Sequence, residues 1–364
     1  MSHKLLMAVG GTGGHLFPAI ALSEELTQKH GCSVLFAGGK LSKNPLLTDY
    51  KCDFRDVSCG KLSTNPFEFL RQSFFLVRGV KQSIDLLRSF NPDAVIGFGS
   101  YHSLPLLIAS KMLGKKIYLH EGNSIPGKVN RWFAPFASKV WIQFPSAQDF
   151  LNVPATLGGL PLRKNLKKGI IDPQSARKAF QLDPDLLTLM VIGGSQGAKK
   201  LNALFSEAVL FHLRDLLPAF QVIHGTGSHE EAELMMARYV SVSVPAYVRP
   251  FINKMECCWS AANLAITRAG ASSLTEQFEF EVPGVVIPYP FAADNHQDKN
   301  ADFLASSGLI IKLNENELTP QGLAMKIQEL FIHTGNYLSK FEEFKKQHPL
   351  PPLADAIIQE LKCN

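Results

Sequence analysis

The sequence predicts an α/β protein made of two doubly wound, parallel-sheet domains. Three observations predict it. Short continuous apolar runs alternate with helix-like stretches, as strands buried on both faces and joined by helices do. The alternation starts afresh near residue 188. Each half opens with a strand that runs into a glycine-rich loop and then a helix, the beginning of a right-handed βαβ unit.

In the first half, the runs at 4–9, 33–37, 94–97, 116–120 and 139–142 read as strands, each bounded by Gly, Pro or polar residues. Helices are expected between them, for example over 18–29 and 104–113, with Pro18 near the start of the first. Residues 66–90 read as a longer helix. On it Phe67, Phe69, Leu70, Phe74, Leu76, Val77, Val80, Ile84 and Leu87 span more than the roughly 100° stripe that packing on one core needs. Arg71, Arg78, Lys81 and Arg88 border that face, and Lys111, Lys115 and Lys116 extend the basic surface, as on a helix lying on anionic lipid. The competing reading is a helix buried on two sides, with a break at Gly79. Residues 154–173, rich in Gly, Pro, Lys and Leu, read as a linker. The second half continues with strands at 188–192, 221–224, 246–248, 264–267 and 285–288 and a helix from about Asn202. After a Pro-rich break, 353–362 reads as a helix.

A chain of 364 residues is too long for one ordinary core. With 46% hydrophobic and 19% charged residues, the composition is globular. No run reaches the roughly 18 apolar residues of a membrane span. The N-terminal apolar run stops at a glycine cluster, with Glu24 and Glu25 soon after, which reads as strand, loop and helix rather than a signal peptide. The six cysteines lack zinc spacing, so no structural metal is expected, and their scatter suits a reducing cytoplasm. Residues 1–160 hold 17 Lys/Arg against 10 Asp/Glu, while the remainder holds 20 against 22. A basic first half suits an acidic partner, a phosphorylated substrate or an anionic membrane, although chance asymmetry of a solvated surface gives the same count.

The chemistry should sit at the glycine loops. The first is Gly10-Gly11-Thr12-Gly13-Gly14-His15 and the second Gly193-Gly194-Ser195-Gln196-Gly197. Glycines let backbone approach a ligand, and the following helix offers free N–H groups and a positive dipole end. A dinucleotide fingerprint fails, because its third glycine falls on Leu16 and Gly38-Gly39-Lys40 stands where an acidic residue should hold a ribose. No Gly-Lys-Ser or Gly-Lys-Thr supports a P-loop. Asp183-Pro184-Asp185 reads as a turn rather than a metal–diphosphate clamp.

Together, residues 10–18, 97–105, His120-Glu121-Gly122-Asn123, 193–202, 268–276 and 295–301 resemble the MurG family of bacterial N-acetylglucosaminyltransferases over nearly the whole chain. The resemblance implies the GT-B fold, two Rossmann-like domains facing a cleft. It implies an acceptor- and membrane-binding domain over 1–160, a UDP-sugar domain over 161–345, and a C-terminal helix of about 346–364 packing back on the first. It implies inverting transfer of N-acetylglucosamine from UDP-N-acetylglucosamine to lipid I, giving lipid II for peptidoglycan synthesis and hence cell shape and division. No cofactor, metal or nucleic acid is expected. The expected partners are both substrates, the anionic inner membrane surface on its cytoplasmic face, and other cell-wall synthesis proteins.

The resemblance also implies roles. His15 matches the catalytic histidine of the acceptor side. Tyr101, His120, Glu121 and Asn123 match the other N-terminal motif near the acceptor, Asn123 being counted also with Thr12, Gly13 and Gly14 among the donor contacts. Arg163 matches a donor-site arginine. Ser195, Gln196 and Asn202 match the loop facing the diphosphate, Phe251 and Ile252 the backbone that reads uracil, and Gly270, Ala271 and Ser272 a helix start under the diphosphate. Glu276 matches the ribose carboxylate, and His296 and Gln297 the sugar contacts. Leu104, Gly122 and Leu160 depart from the family pattern. Glu276 also reads as a solvated helix carboxylate, His120 as a structural histidine and Gln297 as a surface loop residue. The alternatives are an epimerase of UDP-N-acetylglucosamine, which would need a carboxylate cluster, and a non-catalytic nucleotide-sugar binding protein of the same fold.

Overall fold

The computed structural model describes residues 2–10, 13–44, 47, 50–60, 66–194 and 197–362. The chain forms two compact units, Met1–Arg163 with Leu350–Asn364, and Lys164–Pro349.

The first unit carries β1 (Lys4–Ala8), β2 (Ser33–Gly38), β3 (Phe54–Asp56), β4 (Ala94–Gly97), β5 (Lys116–Glu121), β6 (Lys139–Ile142) and β7 (Thr156–Leu157). All pair in parallel in the order β3-β2-β1-β4-β5-β6-β7. Alternate side chains of β1 enter different cores, which is why the run is apolar throughout. Leu5 and Met7 pack with Leu16 and Ile20 of the helix Gly13–His30 and with Leu353, Ile357 and Leu361 of the helix Leu353–Lys362. Leu6 and Ala8 pack with Leu106 and Leu107 of the helix Leu104–Met112 and with Leu87.

The second unit repeats the plan with β8 (Leu187–Ile192), β9 (Phe220–Gly225), β10 (Ala246–Arg249), β11 (Leu264–Thr267), β12 (Gly284–Val286) and β13 (Ile311–Lys312). They pair in parallel as β10-β9-β8-β11-β12-β13. Both orders reverse direction beside the first strand of the unit, at β1/β4 and at β8/β11. In open α/β sheets the ligand crevice lies beyond the strand ends at that reversal. Both glycine loops follow those strands.

The helix over 66–90 is present as Pro66–Phe90 and continues through Gly79. A Cβ at Gly79 would fall 1.8 Å from the Ser58 carbonyl oxygen, so glycine permits a close crossing here rather than a break. The single wide apolar face expected from the sequence is divided. Leu76, Val80, Ile84 and Leu87 turn into the core. Phe67, Leu70, Phe74 and Val77 stay 86%, 69%, 65% and 69% exposed, while the Phe69 side chain lies outside the described set.

Other expectations shift too. The first helix begins at Gly13, so Pro18 lies inside it rather than at its start. The helix expected from Asn202 begins at Lys199. The segment read as a linker opens with the edge strand β7.

Candidate functional site

In the first unit His15 lies in the first turn of the helix that follows β1. Its Nδ1 is 2.7 Å from the Phe98 carbonyl oxygen, just past β4. A carbonyl only accepts, so Nδ1 carries a hydrogen, and in the neutral ring the lone pair is then at Nε2, the tautomer a general base acting there requires. Gly99, at φ +79°, is near the ring, and a Cβ there would stand 3.5 Å from His15 Cε1. Gly13 and Gly14 form the same helical turn, whereas Thr12 lies outside the described residues. Tyr101 meets Trp132 edge-on, with ring centroids 6.2 Å apart.

His120 and Glu121 work from behind. His120 is fully buried, and its Nε2 lies 2.6 Å from the Gly159 carbonyl oxygen. Burial pushes its pKa down to about 4, so it stays neutral and fastens the end of β5 to the segment after β7. The buried Glu121 carboxylate accepts from the Asn123 N–H at 2.9 Å, the Gly127 N–H at 3.0 Å and Asn130 Nδ2 at 2.9 Å. It thereby shapes the loop that carries Asn123. Arg163, assigned from the sequence to the second domain, closes the first unit. Its Nη1 donates to the Tyr50 hydroxyl at 2.6 Å, and its guanidinium lies 4.8 Å from the ring of Phe17, two residues after His15.

In the second unit the loop after β8 needs its glycines. Gly194 and Gly197 have φ +91° and +70°, and a Cβ at Gly197 would fall 2.3 Å from the Thr226 carbonyl oxygen. Ser195 and Gln196 lie outside the described residues. Asn202 sits on the helix Lys199–Ala208, fully buried, rather than in the loop. One proton arrangement satisfies its surroundings. The Tyr239 hydroxyl donates to His224 Nδ1 (2.8 Å) and His224 Nε2–H donates to Asn202 Oδ1 (3.0 Å). Asn202 Nδ2 then donates to the Thr226 carbonyl (3.0 Å) and the Glu231 carboxylate (2.9 Å). Burial lowers the His224 pKa to about 3 and keeps it neutral. Asn202 thus holds the very backbone on which Gly197 rests.

After β11, Gly270 precedes the helix Ala271–Phe280 and has no side chain to cap it. The first N–H groups at Ala271 and Ser272 therefore point outward, as an anion site requires. Ser272 Oγ is buried without a hydrogen-bond partner among the described residues. One turn further, Glu276 accepts from Trp259 Nε1–H at 2.7 Å, which fixes its carboxylate. Beyond β10, Phe251 is exposed, while Ile252 is buried and packs close to Gly225 at the end of β9. His296 opens the helix His296–Ser306 with Nδ1 donating to the Ala293 carbonyl at 2.7 Å. Gln297 Oε1 accepts from the Tyr289 N–H at 2.9 Å, which turns its amide nitrogen away. Asp183 Oδ1 accepts from the Asp185 N–H at 2.8 Å, the bond of a turn. Among the described residues no group of three or more His, Cys, Asp or Glu could hold a metal ion.

Residues 5–142 match the model of the glycosyltransferase family 28 N-terminal domain, and residues 188–354 that of its C-terminal domain. The UDP-N-acetylglucosamine–N-acetylmuramyl-(pentapeptide) pyrophosphoryl-undecaprenol N-acetylglucosamine transferase of Protochlamydia amoebophila is 44% identical over 335 residues, 91% of this chain and 88% of that one. The Geotalea uraniireducens protein of the same name is 36% identical over 91% of this chain and 90% of its own. The chain belongs to glycosyltransferase family 28 and, within it, to the MurG family. The crystal structure of Acinetobacter baumannii MurG superposes with a TM-score of 0.76 at 25% identity, covering all of both chains. The Streptomyces nogalater glycosyltransferase SnogD, at 14% identity and a TM-score of 0.70, shares the fold.

In a MurG-family glycosyltransferase of the GT-B class, each unit now has a distinct kind of site. The first presents a histidine whose Nε2 has no hydrogen-bond partner among the described residues, and the second a helix start without a side-chain cap beside a held carboxylate. Sequence reasoning missed Trp259 and His224, because their parts depend on partners 15 or more residues away and no local pattern flags them.

Proposed function

We propose that this glycosyltransferase moves N-acetylglucosamine from UDP-N-acetylglucosamine to undecaprenyl-diphospho-MurNAc-pentapeptide, lipid I, to form lipid II. The observation that carries the reading is its 44% identity, over 91% of the chain, to a transferase named for that reaction. His15 Nε2 takes the proton of the acceptor hydroxyl as its oxygen attacks the anomeric carbon. The bond from that carbon to the diphosphate breaks, and its electron pair leaves with UDP. Attack opposite the leaving group inverts the centre. The helix start at Gly270, Ala271 and Ser272 and the loop of Ser195 and Gln196 take the growing charge, a task the aligned N–H groups can perform without a metal. Glu276 holds the ribose, the backbone at Phe251 and Ile252 reads the uracil, and His296 and Gln297 orient the sugar. Thr12, Gly13, Gly14, Asn123 and Arg163 complete the donor contacts, and Tyr101, His120 and Glu121 serve the acceptor side.

A lipid-tailed acceptor requires the first domain to meet a bilayer. No helix of the described residues is long and apolar enough to cross one. The exposed stripe of Phe67, Leu70, Phe74 and Val77, bordered by Arg71 and Arg78, supports peripheral binding at the cytoplasmic face of the inner membrane. UDP release tests the reaction. It should be fast only when donor and a lipid I analogue are both present. UDP release from donor alone, or production of an epimer, would overturn the proposal.

A further inference from the structure

Between β4 and the helix Leu104–Met112 the chain passes through a short helical turn, Tyr101–Ser103. Ser100 enters it at φ 81° and ψ 141°, a conformation that a residue with a Cβ adopts only where its surroundings hold it. His102 does the holding. Its backbone N–H donates to Ser100 Oγ at 3.3 Å, and its ring Nδ1 lies 3.2 Å from the same oxygen. One arrangement satisfies both contacts: Oγ accepts from the N–H and donates its own hydrogen to an unprotonated Nδ1. Burial, then Lys40, then His15 hold the His102 pKa below its ordinary value, in keeping with that state.

Two loops close on this pair. A Cβ at Gly10, after β1, would meet Ser100 Oγ at 2.3 Å and His102 Nδ1 at 3.3 Å. A Cβ at Gly39, after β2, would meet His102 Cδ2 at 2.6 Å. Glycine at both places leaves room for the serine and the imidazole. On the far side of the same segment, the Phe98 carbonyl accepts the His15 Nδ1 hydrogen, and a Cβ on Gly99 would come within 3.5 Å of the His15 ring. Five consecutive residues, 98–102, therefore link the pair to His15.

We infer that Ser100 and His102 form a clamp that fixes the orientation and tautomer of His15, with His102 a positioning residue that acts through its Nδ1. The inference rests on the reading of His15 as the general base. Without the clamp, Ser100 relaxes toward negative φ, and the Phe98 carbonyl, two residues upstream, moves off His15.

Steady-state kinetics on the full chain test this. Asparagine places an oxygen near the position of Nδ1, and glutamine places its amide near Nε2. His102→Val should lower kcat roughly tenfold or more, the scale of loss from misplacing a catalytic group, with the donor KM unchanged. His102→Asn should recover most of that loss and His102→Gln little of it. Ser100→Ala combined with His102→Val should cost no more than the worse single change, because both remove one interaction. Recovery by Gln but not Asn would mean that Nε2 touches substrate, and would overturn the clamp. So would additive losses, or wild-type kcat in His102→Val. His15→Gln runs alongside: its activity at the wild-type level would refute the base reading, whereas its failure beside an active His102→Val would refute the clamp alone. Thermal unfolding accompanies each variant, and should His102→Val not fold, the Asn and Gln variants decide.

Discussion

At the scale of single residues, one hydrogen bond orients the ring of His15, the proposed base. The Phe98 carbonyl takes the Nδ1 hydrogen, and a base is left at Nε2. His15→Ala should cut kcat by roughly 10²–10⁴ while UDP binding, followed by calorimetry, stays at the wild-type level. Near-normal turnover would remove His15 from the chemistry. On the donor side, Glu276→Ala should raise the UDP-sugar KM, since a hydrogen bond to a charged group contributes about 1.5–3 kcal/mol. The same change strips Trp259 of its acceptor, so a lowered melting temperature should accompany it, and Trp259→Phe separates the two effects. An unchanged KM would place the ribose elsewhere.

Two buried histidines make stability depend on pH. His120 and His224 have folded pKa values of about 4 and about 3, below the ordinary value of 6.5. The unfolded chain therefore binds protons that the folded chain refuses. Their contribution is complete above about pH 6.5 and is lost as pH falls toward those folded values, by up to about 1.4 kcal/mol per pH unit for each group. Urea midpoints should fall steeply from pH 6.5 to 5, and His224→Gln should flatten that slope in the second unit. A midpoint independent of pH in that window would contradict the neutral, buried assignment.

At the scale of elements, the helix Pro66–Phe90 shows what a pattern can and cannot say. Its span was legible, because the amphipathic run is long and uninterrupted by proline after its first residue. Which apolar residues face outward was not, because that depends on the helix Leu104–Met112 and the backbone of Ser58, neither visible in a local pattern. Among the described side chains, the structure turns Phe67, Leu70, Phe74, Phe75 and Val77 outward. Changing Phe67, Leu70 and Phe74 to Ser should abolish sedimentation with anionic vesicles and leave the melting temperature unchanged, while Leu76→Ser and Leu87→Ser should destabilise the fold. Vesicle binding that survives the triple change would put the membrane face elsewhere. The strands divide in the same way. Those buried on both faces announced themselves as apolar runs. β3, β7 and β13, with sequences Phe-Arg-Asp, Thr-Leu and Ile-Lys, are too short and too polar to stand out at the sheet edges. The glycine loops were legible because the backbone itself demands glycine there, at Gly197 for example.

At the scale of the whole molecule, two sheets of one topology each bring a glycine loop and a helix start to the reversal of strand order. That placement follows from strand order alone, so the motifs pointed to the strand-order reversals even where strand limits were off by a residue or two. The supports behind the sites were not legible: the Tyr239–His224–Asn202 chain joins residues that no spacing rule connects, and the i, i+2 spacing of Ser100 and His102 says nothing of the glycines that close around them. In the proposed reaction the first unit supplies the base and the second the nucleotide site. The most direct measurement is the passage of labelled N-acetylglucosamine from UDP-N-acetylglucosamine to a lipid I analogue, with the wild-type protein and His15→Ala side by side. Rapid labelling of the acceptor with inverted anomeric configuration, nearly lost in the variant, is the predicted result; an unlabelled acceptor, or equal labelling by both proteins, would contradict it.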